Sequence, residues 1–459
     1  VIIADDHLSI KSAMSTTAEK EIKSVGLIGI IKARKDRFGM LAKSPLKYPD
    51  LFLLEIPGRK AYVIHQPEMV QQILQRNMLN YKKDQGYKVL ALLLGNGLIT
   101  NPENESWRKT RKLLQPPFHR ESLANMCKIV VNSTEQLLQE WKKKEGTTIN
   151  FTHDMAWLTI DIVCKTLFTS DVSDDHIKMV WRNLNYLNEE ATKMAGNPWH
   201  IPWKFPLPSY VKGRKYIAEL NDMIYGIMQK RRQQTNPPHD LLQILMEARY
   251  DDGSPMTDEQ IRDEVMTVFV AGHETTVNAL SWTWYLLKKN TDCEKKLLEE
   301  SKPFAQTNPG FTDVANLKYG WCVMNESMRV YPPVPAIGRA VVADEEVCGY
   351  LLKKGRSTVI NIAGLHHHPA YWPNPSAFIP ERFTTFDLKG DNRFVFMPFG
   401  AGPRICIGNN FAMLEMQLIN AMLSARVQME LISTEVEPKP LITLKPGDGV
   451  MMKLVKVNA

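Results

Sequence analysis

The sequence contains no pair of cysteines at C-x-x-C spacing. Its six cysteines, Cys127, Cys164, Cys293, Cys322, Cys348 and Cys406, are scattered without regularity over 459 residues. That spacing argues against a zinc ribbon and a disulfide framework, and for a reducing compartment. No apolar run approaches the about eighteen residues that a membrane-spanning helix needs. The nearest, "VGLIGII" over 25–31, is followed at once by "KARKDR" and reads as a plain first helix, with a surface-lying segment as the alternative. No secretory signal pattern is present. The excess of positive charge is small, +7, and scattered, which does not make a nucleic-acid groove. Its one local cluster, "WRKTRK" over 107–112, fits a docking patch for an acidic partner or a solvated helix face. Repeats, linkers and low-complexity segments are also missing, so one integrated domain fits better than the two or three that length alone suggests.

The hydrophobic pattern is ordinary for a globular protein, with 44% apolar and 23% charged residues. "DLFLLEIPGRKAYVIH" over 50–65 predicts a β-hairpin around "PGRK". A helix over 67–79 should open with Pro67 in its first turn. Helical periodicity then dominates from about 104 to 300. A short basic helix is stopped by Pro116 and Pro117, and a long amphipathic one follows. The segment "GNPWHIPWKFPLPSY" over 196–210 interrupts this with four prolines. Its apolar residues, Trp199, Ile201, Trp203, Phe205 and Leu207, suit a buried lid or a membrane- or ligand-facing surface, or simple packing onto the body. A helix of some 33 residues should start at a capping pattern, Thr257 to Gln260, and run to about Lys289. Beyond residue 330, prolines and β-branched runs predict small sheets, ending in a hairpin "LITLKPGDGVMMKLVKV" that turns at "PGDG".

One loop stands out chemically. In "FGAGPRICIG", 399–408, glycines surround Arg404 and Cys406. Glycines allow tight turns and the close approach of a flat ligand. A cysteine directly before a helix, here "NNFAMLEMQLINAMLSA", has its thiolate favoured by the helix N-terminus. Such a thiolate suits a soft metal.

The ten-residue pattern F-G-x-G-x-R-x-C-x-G resembles the haem-binding segment of the cytochrome P-450 family. "ESMR", Glu326 to Arg329, resembles the family's E-x-x-R helix. Glu and Arg at i and i+3 share a helix face and can pair. "PERF" holds Arg382, which would complete a Glu–Arg–Arg network. "AGHETT" over 271–276 resembles the oxygen-activating segment. Ala271 and Thr275 face one way, and Gly272 costs the helix about 1 kcal/mol against Ala. Thr275 and Glu274 resemble the family's acid–alcohol pair for proton delivery; back-bonding to its own helix is the other use of the Thr275 hydroxyl. His273 lacks a second histidine at i+4, so a zinc H-E-x-x-H site is excluded. "HHHP" over 366–369 falls, by the family's pattern, on a structural turn.

The resemblance covers nearly the whole chain and implies a mainly α, single large triangular P-450 fold, with a smaller β-rich region built from both chain ends. It implies haem b (iron protoporphyrin IX) with Cys406 as axial iron ligand, in a pocket that includes Phe399, Gly400, Gly408, Ala271 and Gly272. Trp107, Arg111, Arg339 and Arg404 would hold the propionates, while Arg108, Lys109 and Lys112 would face an electron donor. Ile99, Ala271, Val334, Ala336, Ile337 and Ile442 would line an apolar substrate pocket. That implies a monooxygenase acting on a fatty acid, terpenoid, carotenoid or steroid, closest in motif style to fatty-acid hydroxylases. Electrons would come from NAD(P)H through a ferredoxin or flavodoxin-type donor and its reductase, since no fused reductase follows. A peroxide-driven hydroxylase and a haem-binding sensor without turnover are the alternatives. Residues 1–30 read as an N-terminal extension and 31–459 as the haem domain. A monomer is expected, with peripheral membrane contact through 196–210. The sequence starts at Val1 and lacks the anchor and proline-rich hinge of microsomal members. It reads as a soluble cytoplasmic chain or as one trimmed of such an anchor.

Overall fold

The computed structural model describes residues 20–26, 36–56, 59–118, 120–169, 173–196 and 201–458. Helices dominate. In chain order they are α1 (Arg37–Lys43), α2 (Pro67–Gln71), α3 (Gly86–Leu94), α4 (Asn104–Leu114), α5 (Arg120–Lys143), α6 (Phe151–Phe168), α7 (Asp174–Gly196), α8 (Pro208–Arg231), α9 (Leu241–Glu247), α10 (Asp258–Lys289), α11 (Thr291–Ser301), α12 (Lys318–Val330), α13 (Ile362–His366) and α14 (Asn409–Arg426).

Helix α10 organises the rest. Its start is a capping box: Gln260 N–H donates to Thr257 Oγ1 at 3.2 Å, and Thr257 N–H donates to Gln260 Oε1 at 2.8 Å. At 32 residues it spans about 48 Å. From Ile261 to Leu287 almost every side chain is buried, which a helix shows only when other elements cover it on all sides. Trp282, Trp284 and Leu287 pack with Phe151 of α6, Val323 of α12 and Leu418 of α14 in the larger core. Val265, Met266 and Phe269 pack with α6, α7 and α8 in a second core.

The main sheet draws on both halves of the chain. Its strands are β1 (Ser24–Val25), β2 (Leu51–Ile56), β3 (Arg59–Ile64), β4 (Tyr81–Lys82), β6 (Ile337–Val341) and β9 (Ser357–Ile360), in the spatial order β1-β2-β3-β9-β6-β4. The expected hairpin is β2–β3, with Leu51 opposite Ile64 and Ile56 opposite Arg59; residues 57 and 58 of its turn lie outside the described residues. Small satellites complete the β-rich part. β5 (Thr148–Asn150) and β10 (Val427–Leu431) flank β13 (Met451–Val457), β7 (Glu345–Val347) pairs with β8 (Tyr350–Leu352), and β11 (Pro438–Pro440) pairs with β12 (Leu444–Pro446).

Two expectations are corrected. Val25 belongs to a strand, paired in parallel with Leu54, and is not the start of a helix; 27–31 lie outside the described residues. The last hairpin does not form, because the two arms around "PGDG" pair elsewhere: β12 with β11, and β13 with β10 and β5. At the turn Gly449 sits at φ +94°, and a Cβ there would come 2.5 Å from the Asn150 side chain at the end of β5.

In the proline-rich segment, Trp199 lies outside the described residues. Trp203 folds back on α8, its ring tilted at 42° and 4.8 Å from that of Tyr210 and lying over Gly213, while Ile201 and Phe205 stay exposed.

Candidate active site

The cysteine loop is shaped by two left-handed glycines, Gly400 at φ +73° and Gly402 at φ +72°. A Cβ on Gly402 would come 2.1 Å from the Leu74 carbonyl oxygen, so the loop can lie against that strand of chain only with glycine there. The turn closes as Cys406 N–H donates to the Phe399 carbonyl at 2.9 Å. Gly408 caps α14, and its N–H donates to Cys406 Sγ. Burial raises the Cys406 thiol, against which the Gly408 N–H and the Arg111 charge favour thiolate. Cys406 is nonetheless exposed as a residue. A residue ringed by protein and still exposed stands as one wall of a cleft.

A second wall is legible on α10. Between Ile261 and Leu287, Val268, Val270, Ala271, Gly272 and Thr275 are only half-buried, and all but Val270 are spaced by three and four, which puts those four on one stripe. Gly272 also serves packing, since a Cβ there would stand 3.3 Å from Val163 of α6. Thr275 Oγ1 donates to the Ala271 carbonyl at 2.6 Å. This is the back-bond weighed above, but a hydroxyl has one proton and two lone pairs, so Thr275 can still accept. The Glu274 carboxylate pairs with Lys445 Nζ of β12 at 2.6 Å.

The propionate candidates converge. Arg404 lies over the buried Trp107 ring at 4.4 Å and Arg111 over it at 5.6 Å. Arg404 also donates to the Asn101 carbonyl at 2.9 Å and to Asn104 Oδ1 at 3.0 Å. Burial, with Arg339 and Arg108 nearby, pushes Arg404 down to about 10. Arg339 is itself buried. Sequence reasoning missed a fourth cation, Lys83, whose ammonium sits 4.0 Å from the Tyr87 ring. Burial and the charges of Arg339 and Arg404 hold it well below its ordinary value. Among the described residues, none of these four cations has a carboxylate at ion-pairing distance. Like charges gathered in low dielectric call for an anion. The two carboxylates of a haem would fit these cations, and Cys406 would supply its soft ligand.

The cations expected to face an electron donor are partly engaged: Lys109 pairs with Glu105 at 3.1 Å and Lys112 with Asp251 at 2.6 Å, leaving Arg108 exposed.

Behind the loop, Glu326 and Arg329 are fully buried. Arg329 uses every N–H: Nε and one Nη donate to Glu326 at 2.8 Å each, and the rest go to the carbonyls of His366, Pro375 and Ala377 at 2.7 to 2.9 Å. Arg382 donates to Glu326 Oε1 at 3.3 Å. His366 is structural, as its motif implied. The Met397 N–H donates to its Nε2 at 2.9 Å, and its Nδ1 stands 3.2 Å from the Met328 carbonyl. It therefore ties α12 to the chain entering the cysteine loop.

Ile99, Val334, Ala336, Ile337 and Ile442 are all half-buried. Leu444 N–H donates to the Pro333 carbonyl at 2.8 Å, which sets the Ile442 turn beside Val334. Sequence reasoning also missed Glu415 of α14. It is buried, one carboxyl oxygen has no partner among the described residues, and burial pushes it up to about 8 next to the Thr276 hydroxyl. His273 Nδ1 stands 2.8 Å from Thr159 Oγ1, and burial holds the ring down at about 3. No signal local in sequence could have found these contacts.

Comparison with known proteins agrees with this geometry. A family model described as Cytochrome P450 matches residues 22–455. A cyclooctatin synthase from Streptomyces melanosporofaciens is 31% identical over 89% of this chain and 91% of its own. From the same organism, a cyclooctat-9-en-7-ol 5-monooxygenase is 29% identical over 88% of this chain and 87% of its own. Cytochrome P450 4V2 of Homo sapiens is 29% identical over 86% of this chain and 80% of its own. Among the described residues no helix is long and apolar enough to cross a membrane.

Proposed function

The chain belongs to the cytochrome P450 family, oxidoreductases that incorporate molecular oxygen, and on that premise we propose that it holds haem b through Cys406 and oxidises a hydrophobic, lipid-like substrate. The observation that carries this is the pairing of an exposed cysteine with four convergent cations, none of which ion-pairs with a carboxylate among the described residues, only Asp84 offsetting the charge on Lys83. When bound, the haem supplies the redox-active iron at which dioxygen is activated. The chain does the rest. Cys406 Sγ accepts from the Gly408 N–H, which steadies the thiolate. Lys83, Arg111, Arg339 and Arg404 would hold the propionates. Thr275, oriented by its bond to Ala271, presents lone pairs to the cleft. The Glu274–Lys445 pair stands behind it with Lys445 partly exposed, a route by which solvent protons reach Thr275.

The half-buried apolar side chains Ile99, Val334, Ala336, Ile337 and Ile442 support an uncharged or long-chain substrate: a terpenoid, fatty acid, carotenoid or steroid. One relative is named for a cyclic alkenol, so such alcohols belong in the first substrate panel. Electrons would come from NAD(P)H through a separate ferredoxin or flavodoxin-type donor, with the exposed Arg108 on its docking face. Exposed Ile201 and Phe205 suit transient contact with the membrane that stores such substrates.

The test has two stages. Haem-loaded protein, reduced under carbon monoxide, should give the red-shifted Soret band of a thiolate-ligated haem, and Cys406→Ser should lose it. A lipid that shifts the spin state should then be hydroxylated with a ferredoxin system and NADPH. Absence of the band in folded protein would overturn the haem-thiolate reading. Ligand shifts without product from any donor would overturn the enzymatic one.

A further inference from the structure

The chain between α3 and α4, 95–101, carries Ile99 and is held in an unusual way. Its backbone lies directly on α10. Gly95 sits at φ +60°, and a Cβ there would come 2.1 Å from the Asp263 carboxylate. A Cβ on Gly97 would come 2.1 Å from Thr267 Oγ1 and 2.8 Å from the Asp263 carbonyl oxygen. Two backbone donors of the loop are then taken by two adjacent carboxylates: Asn96 N–H donates to Asp263 Oδ2 at 2.7 Å, and Leu98 N–H donates to Glu264 Oε2 at 3.1 Å. Thr100 Oγ1 closes the loop on itself by donating to the Gly95 carbonyl at 2.7 Å.

Both acids are buried, at 6% and 3% exposure. Neighbouring carboxylates in a core are costly unless hydrogen-bonded, and apolar side chains would pack α10 at lower cost. Asp263 is compensated by Arg262, whose Nη1 donates to it at 2.8 Å and whose Nε donates to Asn221 of α8 at 2.7 Å. Glu264 makes no ion pair among the described residues, and burial pushes it up to about 8. What both acids have in common is the loop.

We propose that Asp263 and Glu264 are positioning residues, a polar latch that fixes loop 95–101 on α10 and thereby sets where Ile99 stands relative to Ala271 and so which ligands the cleft accepts. The placement supports it. Thr267, against which Gly97 rests, is one helical turn before Ala271, and Ala271 is on the cleft stripe. The far end of the same segment is tied to the cysteine loop, through Arg404 and the Asn101 carbonyl. The loop wall thus spans from α10 to the haem-side cations, and its α10 end is held by polar bonds that break singly. The selectivity part of this inference rests on the functional reading above; the latch itself does not.

The test compares Glu264→Leu, which keeps the bulk and removes the acceptor, with Glu264→Gln, which keeps an acceptor oxygen. Hydrogen–deuterium exchange of the peptide covering 95–101 should quicken by roughly tenfold in Glu264→Leu and stay near wild type in Glu264→Gln. Spin-state titrations with dodecanoic acid and with a cyclic diterpene alcohol give two Kd values. Their ratio should change by at least about threefold in Glu264→Leu, and the change should be non-additive with Ile99→Ala. Should Glu264→Leu fail to fold, Gly97→Ala lifts the loop without touching either acid and must give the same two changes. Unchanged exchange in folded Glu264→Leu or in folded Gly97→Ala overturns the latch. Faster exchange with an unchanged Kd ratio overturns its role in selectivity. A protein that takes up no haem overturns the functional reading instead, and the exchange result is measured all the same.

Discussion

Between about pH 7 and about pH 8.5, two buried carboxyls should each withdraw about 1.2 kcal/mol of stability from the folded protein. Glu264 and Glu415 are 3% and 1% exposed, and burial pushes both up to about 8 from an ordinary 4.5. Below 4.5 both states hold the protons and the contribution is fully present. Between the two values the folded protein keeps a proton that the unfolded chain has released, so stability falls as pH rises, and the loss is complete once the folded value is passed. Each carboxyl can contribute at most about 1.4 kcal/mol per pH unit, less near its own midpoint. Histidines and cysteines also titrate between these pH values in the unfolded chain, so the wild-type slope alone decides nothing. The comparison with Glu264→Gln and Glu415→Gln does, because every other group cancels. Urea unfolding of the haem-loaded protein, followed by circular dichroism at both pH values, should show each variant falling about 1.2 kcal/mol less than wild type. The double variant should fall about 2.5 kcal/mol less. Additivity is expected because Thr276, the partner of Glu415, lies twelve residues from Glu264 on α10, about 18 Å away. If both variants fall as steeply as wild type, these carboxyls are not protonated in the folded state and the burial argument is wrong.

Three other outcomes are expected. Glu326→Gln leaves the Arg329 guanidinium buried and uncompensated, so stability should drop by roughly 3 kcal/mol or more by urea unfolding. Adding Arg329→Met should recover part of that, because the orphaned charge is gone. Arg404→Leu should speed haem loss to a globin acceptor by roughly tenfold, since it removes a cation stacked on Trp107, while the carbon monoxide band keeps its thiolate position. Lys445→Met should lower product formed per NADPH consumed by about threefold with little change in ligand Kd, and Lys445→Arg should restore it. Equal loss in both Lys445 variants would show a packing role only.

Much of this protein is decided locally and can be read along the chain. The capping box at Thr257, the extent of α10 and the β2–β3 hairpin depend on residues a few positions apart, and each formed where the pattern put it. The loop 399–408 is similar: glycines at 400 and 402 and a helix directly after Gly408 largely determine its shape. The E-x-x-R pair follows from helix geometry alone. What pattern could not settle is which distant groups meet. "PGDG" is a sound turn signal, yet its two arms found partners at β11, β10 and β5 because competing edges were nearer than each other. Lys83 joins Arg339 and Arg404 across more than two hundred residues of chain, and Lys445 reaches Glu274 from the opposite end. Asp263 and Glu264 look like ordinary acids in a capped helix until the Gly95–Gly97 backbone is laid on them. Sequence alone determined the family, the cysteine and the helix it faces, because those rest on short-range spacing. Tertiary structure alone decided which charges are left facing one another and what holds loop 95–101, because burial and electrostatic compensation exist only once remote segments share one interior.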